Sequence, residues 1–198
     1  MIEPNLCPGD LVLFSGLEPI HVLVQKLTRS RWSQVGLVIR LPDYDQCLLL
    51  EATSIPLCAD VERGTCSPGV RTTHLEPRLI AFEGTVAVRR LHPPLDLASI
   101  EKLAAFRNSV LESQFDFSLL ASRKSIRRSH TEWNSKSFIC SSLVAFAYQS
   151  IGIMKRPPEG PFPNNLVPAD FTEDHNLALT PGYSFNRAVN IVCESSST

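Results

Sequence analysis

The stretch best equipped for chemistry is Ser137-Phe138-Ile139-Cys140-Ser141-Ser142-Leu143-Val144, where a cysteine stands at the point that small polar residues give way to an apolar-periodic run. Leu143, Val144, Ala147, Tyr148 and Ile151 recur at intervals of three and four, the spacing of one buried helical face, and Gly152 supplies a stop. The pattern places Cys140 in the first turn of a helix. There the unpaired N–H groups and the positive end of the dipole favour an anion, so the spacing predicts a thiol that ionises more readily than in water. Such a thiolate is a nucleophile. The plainer alternative is a small buried hydrophobe, the usual state of a cysteine in a reduced protein.

Other side chains able to act with a thiol are few. Glu51 closes the apolar run Cys47-Leu48-Leu49-Leu50-Glu51-Ala52, either at the end of a sheet in solvent or buried and holding a partner in place. Of the five histidines, His74 follows an irregular segment (54–69) fit to form a site's rim, whereas His92 sits beside Pro93-Pro94 in a turn. His21 lies off the apolar stripe of a short helix and is expected at the surface. Cys7, Cys47, Cys58, Cys66, Cys140 and Cys193 show no CxxC spacing, so no metal site is expected. No P-loop, GxGxxG, HExxH or GxSxG motif is present, and no cofactor is expected.

The elements that must position these groups can be read from periodicity. Leu11-Val12-Leu13-Phe14 is a short strand launched by Pro8-Gly9-Asp10 and apolar on both faces. Pro19 to Leu27 is a helix with its proline at the start. Gln34-Val35-Gly36-Leu37-Val38-Ile39 and Cys47 to Ala52 read as an antiparallel hairpin, and Gly36 within it marks a close approach. Val70 to Leu75, Val86 to Leu91 and Ala188 to Val192 are further strands. Ile100, Leu103, Phe106 and Val110 line a helix from about Ala98 to Leu111. From about residue 153 the chain is a Pro-rich, loosely structured extension of a single domain (1–198), with Leu166 to Phe171 as a tether. Hairpin-linked strands with helices gathered to one side give an α+β class.

The composition narrows the partners. The chain has 198 residues, 43% of them hydrophobic, enough for a real core, and its 19 Lys and Arg nearly balance 20 Asp and Glu. The one basic patch, Arg123 to Arg128, lacks interleaved aromatics, so no nucleic-acid partner is expected. No apolar run approaches the roughly 20 residues of a membrane span. With no export signal at Met1 to Leu6, the expected setting is cytoplasmic, with reduced thiols.

Several stretches together resemble the circularly permuted NlpC/P60 papain-like hydrolases of the YiiX/YebB type. They are Pro8 to Phe14, Trp32-Ser33-Gln34-Val35-Gly36-Leu37-Val38-Ile39, Leu50-Glu51-Ala52, Gly69-Val70, Val86 to Leu91, Phe138 to Val144, Gly152 and Pro168-Ala169-Asp170-Phe171. The resemblance implies a small antiparallel sheet or partial barrel packed against helices, with the nucleophile at a helix N-terminus. It implies cleavage of amide bonds in small peptides, and, in more distant relatives, acyl transfer from lipids. Carried over by position, Cys140 is the nucleophile, Glu51 a third polar member, and Gln34 stands where the family has its histidine.

That departure matters because an imidazole can take the thiol proton and return it to the leaving group, whereas an amide can do neither. Three explanations follow: a peptide- or acyl-binding pseudoenzyme, an engineered inactivating change or unusual variant of an otherwise active amidase or peptidase that is impaired as written, or an enzyme whose base comes from another histidine. For the last, His74 is the first candidate, with His21, His130 and His175 behind it. In every case the resemblance implies Gln34 and Cys140 on facing elements with their side chains close.

Overall fold

The structure is a computed structural model that describes residues 6–116, 136–175 and 177–191; the basic patch at Arg123 to Arg128, His130 and Cys193 lie outside the described residues. Strands β1 (Leu11–Gly16), β2 (Gln34–Ile39), β3 (Leu48–Thr53), β4 (Gly69–His74), β5 (Gly84–Arg89) and β10 (Val189–Ile191) form one sheet in the order β10-β5-β1-β2-β3-β4. Every pairing in it is antiparallel. Short two-residue strands add to this: β6 (Leu91–His92) pairs with β9 (Ser184–Phe185), and β7 (Gln114–Phe115) pairs in parallel with β8 (Ser137–Phe138).

The central strands are apolar on both sides because both faces are covered. On one face Leu11, Leu13, Val35, Leu37, Leu48 and Leu50 pack against α3 (Leu97–Val110) and α4 (Cys140–Ser150). On the other, Val12, Phe14, Val38, Leu49, Val86 and Val88 meet α2 (Leu75–Ile80). The helices are therefore not gathered on one side as the sequence order suggested. The six residues of α2 lack a readable 3.6-residue stripe, and Leu75 and Leu79 are its apolar anchors.

Helix α4 is pinned near both ends. The Tyr148 hydroxyl, fully buried, donates to the Gly9 carbonyl at 2.7 Å, and the Ser141 hydroxyl donates to the Leu166 carbonyl at 2.6 Å. The second bond draws the chain beyond the helix back across its start. The extension from residue 153 is thus well packed over part of its length: Ile153, Met154, Leu166, Ala169 and Phe171 are buried, and two 3-10 turns (Pro163–Asn165 and Pro168–Phe171) shape it. Its prolines prevent a regular ladder without preventing burial.

Three arginines, Arg71, Arg78 and Arg107, are among the largest fully buried side chains. Each is held by oxygen. Arg71 donates to the Cys58, Ser67 and Thr65 carbonyls and so gathers the two arms of the irregular loop after β3. Arg107 donates to the Thr72 hydroxyl at 2.8 Å and to Glu62 at 2.7 Å. Arg78 belongs to the site.

Candidate active site

The site forms where the sheet comes apart. β2 and β3 are paired at Leu37–Leu50, Val38–Leu49 and Ile39–Leu48, and the ladder goes no further, although both strands continue. Residues 34–36 and 51–53 therefore splay, and a narrow cavity with a free volume of about 50 Å³ opens at that end. Gln34, Ser33, Ala52, Thr53 and Ser54 line it from the strands, and Ile20, His21, Val24 and Leu27 from α1 (Pro19–Thr28). Phe115, Ile139, Cys140, Val167 and Pro168 complete the lining. The interior is mostly apolar and has room for a few water molecules or a short run of methylenes.

Cys140 is the first residue of α4, as its spacing predicted. The backbone N–H groups of Val35, Ser141 and Cys140 itself are directed at its sulfur, and Val35 can serve because its strand has left the ladder. Ser142 reaches back to accept a hydrogen bond from the Ile139 N–H at 3.2 Å, which tightens the first turn. These donors do not make the thiol acidic. Burial pushes Cys140 up to about 11, with the Glu51 charge adding to the rise, and outweighs the N–H groups that oppose it. The helix start favours an anion, but this one is only 8% exposed and the cost of desolvation is larger.

Glu51 is fully buried, so of the two settings open to it the second is realised. Its carboxylate accepts from Arg78 Nε at 2.9 and 3.2 Å and from the Gln34 amide at 2.7 Å. The Arg78 guanidinium lies 4.7 Å from the Phe14 ring centre and 5.3 Å from that of Phe82. Because Glu51 faces a cation and only accepts, the Gln34 nitrogen must be the atom turned towards it. Gln34 is thereby fixed in one orientation, with no proton to take.

Gln34 and Cys140 border the same cavity, Gln34 from the first residue of β2 and Cys140 from the first residue of α4. Strand alternation puts the Gln34 side chain on the α2 side with Val38, and the α4 side receives Val35. The two residues share the cavity because β2 begins there. His74 is not part of this gathering. It is exposed and pairs with Leu48, whereas the cavity lies at Thr53, about 17 Å away at ~3.3 Å per residue along β3.

His21 is the cavity residue that periodicity misplaced. It is buried at 8% exposure, not at the surface. In α1 the stripe Ile20, Val24 and Leu27 lines the cavity, Leu23 is exposed, and the imidazole turns towards the sheet, edge-on to Phe82 at 5.7 Å and 2.9 Å from the Ser33 hydroxyl. The only legible signal was Gly16. A Cβ built there would lie 2.5 Å from the His21 ring. Gly16→Ala is expected to cost about 1–3 kcal/mol by overpacking, read as a lower urea midpoint; an unchanged midpoint would show that the ring moves aside freely.

An antiparallel sheet crossed on one face by a late helix that begins with a cysteine defines an α+β protein of the architecture the sequence motifs resemble. A solved structure similar to this chain is that of the metalloprotein yiiX from Escherichia coli O157:H7, DUF1105, with a TM-score of 0.54 and 22% identity, covering 74% of this chain and 66% of that one. The match thus spans just under two thirds of the yiiX chain, and it establishes the fold. No protein-family model and no curated protein matches. Among the described residues no three His, Cys, Asp or Glu side chains converge as metal ligands. Among them, too, no helix is long and apolar enough to cross a membrane.

Proposed function

We propose that this chain is a papain-like thiol hydrolase scaffold that admits a small peptide or acyl/amide ligand beside Cys140, with proton transfer impaired at residue 34. The observation that carries the reading is the Gln34 amide held 2.7 Å from Glu51 in the lining of the cavity that contains Cys140. In the reaction, the Cys140 thiol gives up its proton and its sulfur bonds to the ligand's carbonyl carbon. The carbonyl–nitrogen or carbonyl–oxygen bond then breaks and the leaving group takes a proton. Val35, Cys140 and Ser141 N–H groups help the sulfur carry charge. Nothing at residue 34 moves the proton. A cytoplasmic setting belongs to the same reading.

A second reading, binding without turnover, is favoured by the high thiol pKa and the narrow apolar cleft. Lipid acyl transfer would use the same thiol and differ only in the acceptor.

The test is intact-protein and peptide mass spectrometry after incubation with a p-nitrophenyl ester of a short fatty acid at pH 8. One acyl group on Cys140, formed slowly and absent in Cys140→Ser, is the expected result. Acylation confined to the exposed Cys7 and Cys66 would remove the nucleophile from this reading and leave binding.

A further inference from the structure

We propose that His21, on α1, is the proton acceptor for Cys140, replacing from the opposite wall of the cavity the imidazole that residue 34 lacks. The inference rests on the reading of Cys140 as a nucleophile but concerns a residue that no motif marks.

The first observation is placement, since His21 and Cys140 line one cavity. The second is the hydrogen-bond economy of Ser33. Its hydroxyl has one proton, and that proton goes to the Phe14 carbonyl at 3.1 Å, which can only accept. The same oxygen accepts from the Gly16 N–H at 3.2 Å. The remaining contact is to His21 Nδ1 at 2.9 Å, and with the Ser33 proton on Phe14 it is donated by the imidazole. In that arrangement His21 is the Nδ1–H tautomer and Nε2 carries the lone pair. Nε2 has no hydrogen-bond partner among the described residues.

The third observation is that the ring is held. Phe82 meets it edge-on, and Gly16 lets it approach the backbone more closely than any side chain would permit. The charged groups around it are Arg78 from α2, Glu51 from β3 and Glu18 just before α1, and Cys140 is the titratable group across the cavity. Burial, with the Arg78 charge, lowers the imidazole below its ordinary value, so it is neutral and able to accept at pH 7.

The step is a balanced proton transfer. The Sγ–H bond of Cys140 breaks, and the proton goes to His21 Nε2 directly or through one water in the cavity. The sulfur keeps the electron pair and bonds to the ligand's carbonyl carbon. The imidazolium then returns the proton to the leaving group.

The experiment is the pH profile of Cys140 alkylation by iodoacetamide, read by peptide mass spectrometry, in the natural chain and in His21→Asn. Asparagine can keep the donor to Ser33 while removing Nε2. The natural profile is expected to show an inflection below about pH 6.5, and His21→Asn to lose it and to react about tenfold or more slowly at pH 7. Equal rates in the two chains across the range would overturn the proposal. If Cys140 resists alkylation at every pH while Cys7 and Cys66 react, both this proposal and the nucleophile reading fall. If His21→Asn unfolds, imidazole ¹⁵N resonances of the natural chain decide. A protonated Nδ1 with an Nε2 that shifts when Cys140 is alkylated supports the proposal, and the opposite tautomer or an unmoved Nε2 overturns it.

Discussion

In a His21→Asn background, Gln34→His raises the rate of Cys140 alkylation at pH 7 by about 10²–10⁴-fold, the range typical of a positioned general base. An imidazole at residue 34 would begin beside Glu51, whose carboxylate already lies 2.7 Å from the side chain there. It would border the cavity that holds the thiol. Glu51 would orient the ring and support its cationic form, as the third member of a thiol–imidazole centre does. The midpoint of the alkylation profile should then drop well below the value of about 11 to which burial holds Cys140. In the natural background the gain is smaller, because His21 already supplies part of the same step. A rate unchanged within about twofold in both backgrounds would mean that strand alternation keeps residue 34 out of reach of the sulfur, and Gln34 would then be a structural partner of Glu51 and nothing more.

The largest effect on stability is expected at Arg78. Arg78→Met leaves the Glu51 carboxylate fully buried with the Gln34 amide as its remaining neighbour, and breaking one side of a buried ion pair costs about 3–5 kcal/mol. It also removes the cation stacked on Phe14 and Phe82. Urea unfolding followed by circular dichroism measures the loss. Removing both charges in Glu51→Leu with Arg78→Met should recover most of it, because the desolvation cost of the pair disappears along with its attraction. If the single substitution costs less than about 1 kcal/mol, water reaches the pair and the site is less enclosed than its burial indicates.

The parts of this molecule that were legible in the sequence are those set by local periodicity. The β2–β3 hairpin, the helix from about residue 98 and the helix begun by Cys140 all follow from apolar spacing, and all are present. What could not be read depends on neighbours distant in the chain. The apolar stripe of α1 was real, but it lines a cavity instead of the core, and the helix turned its histidine inward because Gly16 and Ser33 left a place for it. Arg71, Arg78 and Arg107 look like surface residues in any sequence window, since nothing local announces the carbonyls and carboxylates that receive them. The burial that raises the Cys140 thiol is illegible in the sequence for the same reason. A helix start is visible in the sequence, but the side chains that close over it are not.

The loop gathered around Arg71 has a consequence for cooperativity. One guanidinium rooted in the edge strand β4 serves the carbonyls of Cys58, Thr65 and Ser67, so the loop's internal closure is borrowed from the sheet. Such a loop does not open as an independent unit. It opens together with the strand that holds its hub, and its lifetime is inherited from the edge of the sheet.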